Sequence, residues 1–350
     1  DVYKRQIIET TCPICRYTQE IDDDENPNHD TFSGDRILVS KFAYDIAEPN
    51  RWDVIVFRYP DNAKQNYIKR LVGLPNEHLL IESGDLHVWN PPEDAPEALP
   101  DDRSQFSIVR KPPRKLLSML QLVDDTKYLA PELVEVDWPL RWQEWSATSD
   151  QKTWTADLSP HGPVYTIAKT PELNWLRYRH LVPRRTEWTE ISAGRLPKRM
   201  NNPLGELISD YYEYNDSIPG EITPTLGPEK PEAIAHRGIH WVGDLVLDAN
   251  IKVDSDEGTL FLQCLEGGIK FTCAIDVKTG TATISADSDL VRFDQADGSE
   301  GSPSTVAQGQ TSVRGRGSYR VRYGNVDDRI YLWINNRCLL YTSPSPRDTM

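Results

Sequence analysis

The feature that most constrains the fold is the alternation of apolar and polar residues in the last third of the chain. Between residues 244 and 286 the runs "DLVLDANIKV", "TLFLQCLE" and "IKFTCAID" are separated by "DEG", "EGG" and "KTG". The alternation returns at residues 318–336, where Tyr319, Val321 and Tyr323 point one way. Such runs, broken by short turns, predict antiparallel strands with one buried face, stacked as a β-sandwich.

A second β-rich region lies between residues 36 and 90. Its apolar and β-branched runs are short, and turn signals such as Pro49-Asn50 and Ser83-Gly84-Asp85 separate them. This spacing predicts an antiparallel meander. The predicted strands are Ile37–Val39, Trp52–Pro60, Asn66–Pro75 and two between His78 and Trp89, and a short helix is predicted at Pro112–Val123.

Composition excludes several classes of protein. The net charge of -15 argues against a nucleic-acid-binding protein, which would show a basic face, so we expect no nucleic-acid partner. No run approaches the roughly 18 apolar residues of a membrane helix, and no signal peptide opens the chain, so we expect these residues to be soluble.

Both ends of the chain differ in character from the rest. The segments "DVYKRQ" at 1–6 and "CLLYTSPSPRDTM" at 338–350 resemble translated library-adaptor sequence, and the chain does not begin with Met. We exclude both segments from fold prediction. We expect the chain to be an internal fragment of a longer protein, truncated at both ends.

Two sequence blocks carry a family resemblance. They are "SGDRILVSKFAYDIAEP" at Ser33–Pro49 and "RWDVIVFRYPDNAKQNYIKRLVGLP" at Arg51–Pro75. They match, in order, the boxes "GD-x-I-L-V-x-K-F", "GD-x-V-V-F-x-Y-P" and "Y-I-K-R-x-V-G-L-P-G-D". The segment therefore resembles the catalytic core of type I signal peptidases, which remove leader peptides from exported proteins. The resemblance implies a serine endopeptidase with a Ser-Lys dyad, which needs no cofactor for catalysis.

Lys69 matches the catalytic lysine of this family. A lysine accepts a proton at neutral pH only if apolar surroundings keep its amine neutral. Lys69 is flanked by Tyr67, Ile68, Leu71 and Val72, and we expect these side chains to provide a dry setting for a general base. Without the resemblance, an exposed lysine that protects a strand edge is the alternative.

The resemblance also implies a groove in which an extended leader peptide pairs with a strand edge. Its apolar pockets accept small residues before the cleavage site, and core packing is the alternative for the residues that match them. Asp35 and Asp53 recur in the family's boxes, and we interpret them as turn or strand-start residues. The matching substrate-binding positions are Ile37, Val56, Phe57, Tyr67 and Ile68.

The chain departs from the family pattern at the nucleophile. The box "S-x-S-M-x-P-T" is absent before Asp35, and the later box "G-D-N-x-x-x-S-x-D-S-R" is absent too. In place of Gly-Asp after Pro75 stands Asn76-Glu77, where Asn can still adopt a positive φ. We therefore expect the nucleophilic serine and a membrane anchor to lie outside this fragment, and the fragment alone to be inactive.

The five cysteines leave several interpretations open. Cys12 and Cys15 in "CPIC" have the spacing of half a tetrahedral zinc site, with redox-type thiols or coincidence as alternatives. Signal peptidases with large inserts carry a second such pair, so a structural zinc is possible in the full-length protein, while His29 is a poor substitute ligand. Cys264 and Cys273 are either buried thiols or a disulfide across paired strands.

The predicted fold class is mainly β, with a signal-peptidase-type antiparallel core and an inserted, jelly-roll-like sandwich that weakly resembles concanavalin and laminin-G domains. Its aromatic residues either fill the core or bind glycans, and the acidic residues between Asp287 and Asp297 form either a solvated loop or a calcium site. The predicted domains are 1–32 (irregular, with the CxxC pair), 33–90 (partial catalytic core), 91–137 (linker), 138–337 (sandwich) and 338–350 (adaptor).

Three functions remain in competition. The first is a signal peptidase fragment that acts on exported preproteins, with the complete protein anchored in the membrane and its catalytic domain on the outer, periplasmic or extracytoplasmic, face. The second is a carbohydrate- or protein-binding sandwich on an inactive peptidase scaffold. The third is a degenerate, inactive homologue.

Overall fold

A computed structural model describes most of the chain. The described residues are 9–12, 14–21, 36–95, 97–100, 102–145, 153–159, 162–209, 241–288 and 307–341. The predicted mainly β fold is confirmed, because strands far outnumber helices and every pair is antiparallel in this part of the chain.

The strands and helices are short. The strands are β1 (Glu9–Thr11), β2 (Thr18–Glu20), β3 (Val54–Tyr59), β4 (Asn62–Arg70), β5 (His78–Glu82), β6 (Asp85–Trp89), β7 (Ser107–Ile108), β8 (Trp142–Trp145), β9 (Trp154–Ser159), β10 (Gly162–Ile167), β11 (Trp175–Tyr178), β12 (Leu245–Val253), β13 (Thr259–Glu266), β14 (Ile269–Asp276), β15 (Thr281–Ala286), β16 (Ala307–Gln310), β17 (Gly317–Asn325), β18 (Ile330–Ile334) and β19 (Arg337–Tyr341). The helices are α1 (Ala43–Ile46), α2 (Pro113–Leu117), α3 (Pro131–Glu135) and α4 (Trp188–Ser192), with 3-10 turns at Arg103–Gln105, Arg185–Glu187 and Lys198–Asn201.

The chain divides into two compact units, and each draws on two separate stretches of sequence. The first unit comprises residues 1–36 and 121–242, and the second comprises residues 37–120 and 243–350. The first unit contains the two-stranded sheets β1–β2, β9–β10 and β8–β11. Its core forms where α3 and α4 bring Leu133, Trp188 and Ile191 together with Trp138.

The second unit is dominated by two four-stranded sheets packed face to face. Their strand orders are β12–β17–β18–β19 and β13–β14–β15–β16. Residues from both sheets share one apolar core, in which Cys273, Ile284, Tyr323 and Leu332 are fully buried. The two sheets form a β-sandwich from strands within residues 245–341. Most of its strands pair with the strand next to them in sequence, so the sheets are meanders. The predicted jelly-roll-like sandwich would instead have connections that cross between strands distant in sequence.

β18 is buried on both faces along its whole length. One face, with Leu332 at its centre, points into the sandwich core. On the other face Tyr331 and Trp333 stack 5.0 Å apart and pack against Leu116 of α2. The run "IYLWI" is continuously apolar, which is the pattern of a strand covered on both sides. The prediction of one buried face is therefore wrong for this strand.

Three local predictions differ from the structure. Ile37–Val39 form no strand, because no neighbouring strand pairs with them among the described residues and a lone strand leaves its backbone groups unpaired. β4 begins at Asn62 instead of Asn66, since the turn is only Pro60-Asp61. The predicted helix at 112–123 is shorter, because α2 ends at Leu117.

The predicted domain limits group the residues in a different way from the structure. The described strands between residues 142 and 178 pair among themselves in the first unit, whereas the four-stranded sheets use residues 245–341. Residues 338–341, predicted to belong to adaptor sequence, form the edge strand β19 together with Arg337, because β18 offers them a free row of backbone hydrogen-bonding groups. The limits at 33, 90 and 138 stay predictions. Within the described ranges, no helix has the length and hydropathy needed to cross a bilayer.

Candidate functional site

Lys69 lies on the hairpin formed by β3 and β4. The register pairs Lys69 with Ile55 and Tyr67 with Phe57, so these four side chains share one face of the hairpin. Arg70 pairs with Val54 and belongs to the opposite face, as alternation requires. Its guanidinium donates to the carbonyl of Trp52 at 2.9 Å, which gives Arg70 a structural role.

The surroundings of Lys69 differ from the prediction. Every residue of β4 except Arg70 is exposed, and Lys69 is exposed with them. The two-stranded sheet has no second layer on this face among the described residues, so no apolar wall covers the ammonium group. The predicted dry setting is therefore wrong for this part of the chain. The role of Lys69 as a general base stays a prediction.

An aromatic cluster adjoins Lys69 on the same face. The rings of Tyr59 and Tyr67 stack with centroids 4.7 Å apart, and Phe57 meets Tyr67 edge-on at 6.2 Å. The Lys69 Nζ lies 6.0 Å from the centroid of the Tyr67 ring, within the range of a cation–π contact. Lys69 is thus positioned by an aromatic ring beneath its ammonium group.

The five predicted substrate-binding residues do not share one surface. Phe57 and Tyr67 lie on the face of Lys69, whereas Val56 and Ile68 pair with each other on the opposite face. Ile37 is 60% exposed in a segment without regular structure. Exposure makes core packing a poor explanation for Ile37 and for Ile68, which is 51% exposed. The structure therefore groups two of the five with Lys69.

Ion pairs fix the open end of the hairpin. Asp53 directly precedes β3, and its carboxylate accepts from the Asn50 amide at 2.9 Å, as expected for a turn residue. The Lys115 ammonium, 2.5 Å from Asp53 Oδ1, holds the pKa of that carboxyl below its usual range. These contacts tie the hairpin to α2. Asp35 lies outside the described residues.

The turn after β4 tolerates the departure from the family pattern. Asn76 has a φ of +61°, which confirms that it adopts the left-handed conformation. The Glu77 carboxylate accepts from the backbone amide of Leu74 at 2.8 Å and also pairs with Arg51. Glu77 therefore closes the turn locally.

The CPIC pair lies in the turn of the β1–β2 hairpin. Cys12 donates its amide to Tyr17 and accepts from Arg16, both at 2.8 Å, which folds the turn tightly. Burial raises the pKa of the Cys15 thiol to about 11, which favours the protonated form over the thiolate that binds metals. Among the described residues, no third ligand accompanies the two thiols, and His29 lies outside those residues. The residues present therefore do not fit a complete zinc site.

The other cysteine pair is resolved in favour of buried thiols. Cys264 and Cys273 are not disulfide-bonded. The register places Cys264 opposite Phe271 and Cys273 opposite Leu262, so the two thiols are not cross-strand partners. Burial raises the pKa of each thiol to about 12.

Of the acidic residues between 287 and 297, only Asp287 is described, and it pairs with Lys270.

A partly buried carboxylate cluster was not predicted from the sequence. One oxygen each from Asp85, Asp244 and Asp327 lie within 4.8 Å of one another. The ammonium of Lys111 pairs with Asp327 and lies 3.7 Å from Asp244 Oδ2, so a cation of the chain itself sits in the cluster. The residues come from distant strands and turns, and only "GD" and "DD" dipeptides mark them in the sequence.

Burial and repulsion between like charges raise the pKa values of carboxyl groups in and near this cluster. Burial, and then repulsion from Asp244, raises the pKa of Asp85 to about 7. Burial also raises the pKa of Glu266 to about 7, although Glu266 accepts a hydrogen bond from Asn325. With Lys111 as its counter-ion, the cluster has the properties of a structural ion-pair network in the second unit.

Comparisons with known proteins agree with the class to which the hairpin motifs point. The family described as "Signal peptidase, peptidase S26" matches residues 18–130. This match includes the β3–β4 hairpin and Lys69. It confirms the resemblance of this segment to type I signal peptidases.

Individual relatives support the same resemblance. Signal peptidase I of Pseudomonas aeruginosa is 50% identical over 56 residues, which cover 13% of this chain and 20% of the relative. Signal peptidase I of Bacillus caldolyticus is 37% identical over 68 residues, covering 19% and 36%. Signal peptidase I of Buchnera aphidicola from Acyrthosiphon pisum is 40% identical over 67 residues, covering 16% and 21%. The chain thus spans between a fifth and about a third of the length of these relatives.

One solved structure is similar to part of the chain. It is the carbohydrate binding module CBM66 from Bacillus subtilis, with 14% identity and a TM-score of 0.21. The similarity covers 29% of this chain and 60% of the module. A score this low carries no argument about fold or ligand.

Proposed function

We propose that this chain is part of a signal peptidase that cleaves leader peptides from exported preproteins with a Ser-Lys dyad. The observation that supports the proposal most is the similarity to signal peptidases over residues 18–130, which includes the hairpin that presents Lys69. The serine belongs to a part of the peptidase outside these 350 residues, as does the membrane anchor. The catalytic domain faces the periplasmic or extracytoplasmic side.

The chemistry assigns Lys69 the role of general base. A neutral Lys69 amine takes the proton of the serine hydroxyl while the serine oxygen attacks the scissile carbonyl, and the ammonium then protonates the leaving amine. Phe57 and Tyr67 share the face of Lys69 and line the path of the substrate. Both strands of the hairpin have open outer edges among the described residues, to which an extended peptide can add.

The exposure of Lys69 sets a condition on this mechanism. The mechanism needs a neutral amine in apolar surroundings, so the base works only when another layer covers the exposed hairpin face. The proposal assigns this layer to the part of the peptidase that carries the serine. It follows that the 350-residue chain by itself cleaves no preprotein.

The proposal is tested by Lys69→Ala in the complete peptidase, assayed on a preprotein with alanine one and three residues before the cut. We expect cleavage to fall by about 10²–10⁴-fold, because proton transfer is lost. Lys64→Ala is the matched control, since Lys64 is another exposed lysine of β4 and its loss removes the same charge.

Two results would contradict the proposal. One is full cleavage by the Lys69→Ala variant with the Lys64→Ala control also active. The other is cleavage by the 350-residue chain alone that survives Lys69→Ala, since this would place the base elsewhere. Circular dichroism of each variant separates a loss of folding from a loss of catalysis.

A further inference from the structure

The first unit contains a cavity over the β8–β11 sheet that the peptidase proposal does not use. Its volume is about 530 Å³, within the range of small-molecule sites. Strand residues of β8 and β11 form the floor, and Gly205 and Glu206 form a wall. The Glu206 amide donates to the His180 carbonyl at 3.0 Å, which holds the wall beside the end of β11.

An indole ring provides the main apolar surface of the cavity. Trp145 lines the cavity and is 44% exposed, so part of its ring is open to a ligand. The register pairs Trp145 with Trp175 and Gln143 with Arg177, so Trp145, Gln143 and Arg177 share one face of the sheet. The Arg177 guanidinium lies 5.7 Å from the Trp145 ring centroid, so a flat ring and a flat donor group lie together.

The polar side chains around the ring are held in place. Gln143 donates to the Leu140 carbonyl at 2.7 Å and accepts from Arg179 at 3.2 Å. Arg179 also donates to the Pro203 carbonyl. Because these planar groups are already fixed by the protein, a ligand would lose little entropy in ordering them.

The charges beside the indole ring are mixed. Arg177 and Arg179 contribute two positive charges, and Glu206 contributes one negative charge. Alternation places Glu144 on the opposite face of β8, where its carboxylate accepts from Thr153. His180 adds no charge at neutral pH, since burial, and then the nearby Arg141 and Arg16, lower its pKa to about 4. An anionic ligand would meet the Glu206 carboxylate, an Arg179 side chain already bonded to Gln143 and Pro203, and a chain of net charge -15, so the site fits a neutral ligand.

We propose that the β8–β11 cavity binds a neutral oligosaccharide, with one sugar ring stacked on Trp145 and its hydroxyls bonded to the fixed Gln143, Arg177 and Arg179. A sugar ring has an apolar face for the indole and hydroxyls that both donate and accept, which matches the mixed amide, guanidinium and carboxylate lining. An extended peptide would instead need a row of apolar pockets along an open strand edge. This site lies outside the four-stranded sheets but within residues 138–337, the predicted sandwich whose aromatic residues the sequence analysis considered as a glycan platform.

The experiment is isothermal titration of the full chain with a panel of defined probes. The probes are neutral tetrasaccharides of glucose, xylose, mannose and N-acetylglucosamine, an oligogalacturonate as acidic sugar, and an uncharged hexapeptide. We expect at least one neutral tetrasaccharide to bind with a Kd between roughly 1 μM and 1 mM. Trp145→Ala weakens that binding at least about tenfold, because the stacking surface is lost.

Gly205→Leu is a second, independent test. A Cβ at Gly205 would meet no atom closer than 3.8 Å, so the residue can be enlarged, and the added side chain fills the cavity and abolishes binding. The matched controls are Trp241→Ala, which removes an indole of the same unit that is 57% exposed and outside the cavity, and Arg195→Ala. Both controls leave the Kd unchanged.

The proposal is overturned if no neutral tetrasaccharide binds at millimolar concentration, if only the acidic sugar or the peptide binds, or if Trp145→Ala binds as tightly as the natural chain. If the Trp145→Ala variant does not fold, the Trp145→Phe variant replaces it in the test, because the smaller phenyl ring keeps part of the stacking surface. An affinity of the Trp145→Phe variant between those of the natural chain and Gly205→Leu supports the proposal, and unchanged binding in both variants refutes it.

Discussion

The β3–β4 hairpin and the β17–β18 hairpin are both antiparallel pairs rich in apolar and aromatic residues, yet their side chains have opposite surroundings. β18 is buried at all five positions. β4 is exposed at all positions but its last. The difference arises from the layers above and below: β18 lies between a second sheet and α2, whereas β3 and β4 have no covering layer among the described residues.

This comparison teaches that composition does not decide burial in a β protein. A strand becomes core only when another layer removes its face from water, and the free energy follows the apolar area removed. The buried hairpin therefore contributes to stability. The exposed hairpin leaves its lysine, aromatic rings and strand edges open to solvent, as the proposed peptidase function requires.

The largest effect is expected from truncating the core hairpin. Trp333→Ala should lower the free energy of unfolding of the second unit by about 3–5 kcal/mol, because it leaves a cavity between β18 and α2. Ile68→Ala on the exposed hairpin should cost less than about 1 kcal/mol. Urea unfolding monitored by circular dichroism measures both, and equal losses would show that the exposed hairpin is also packed.

A slightly smaller loss is expected in the carboxylate cluster of the second unit. Lys111→Met should destabilise this unit by about 3 kcal/mol, because Asp327, with a side chain 1% exposed, would keep its charge without a counter-ion. Lys252→Met is the matched control, since Lys252 pairs with Asp254 3.3 Å away in open water. If Lys111→Met unfolds at the same urea concentration as that control, another cation must neutralise Asp327.

The smallest effect is a difference in pH dependence between the two regions. The pKa of Asp85 is raised from 3.8 to about 7, so the folded state holds its proton more tightly than the unfolded state. Its contribution to stability is complete below about pH 4 and is lost as the pH rises through about 7. The stability of the natural chain should therefore decline between pH 4 and pH 8, and the decline should be smaller in the Asp85→Asn variant. Thermal unfolding across this pH range measures both.

Asp53, at the base of the exposed hairpin, should make stability depend on pH in the opposite direction. Its pKa is lowered by the hydrogen bond from Lys115, so its contribution is present above its ordinary pKa of 3.8 and disappears as the pH falls below that value. Asp53→Asn should lower the stability slightly at neutral pH and should remove the loss of stability that the natural chain shows as the pH falls below 3.8. If both variants changed the pH dependence of stability in the same direction, the environments assigned to Asp85 and Asp53 would be wrong.

Much of the local structure follows from sequence patterns. The alternation in "IKFTCAID" predicted β14 with Phe271, Cys273 and Ile275 on one buried face, as found. The turn at Ser83-Gly84 also lies where predicted, with positive φ at both residues. The continuous run of β18 contained a signal for two buried faces that the alternation argument overlooked.

The candidate sites depended on information that patterns do not contain. The motif "YIKR" singled out Lys69, but flanking apolar residues did not reveal that its face has no cover among the described residues. Asp85, Asp244 and Asp327 meet only because three distant segments fold together, and Trp145 and Gly205 line one cavity for the same reason.

The sequence by itself determined the mainly β class, most strands and turns, and the resemblance to signal peptidases, because these depend on short-range alternation, turn residues and motif order. Only the tertiary structure decided which faces are covered, which carboxylates meet and where a cavity opens. Those properties depend on the packing of segments far apart in the chain, and short-range patterns do not specify which layer lies against which.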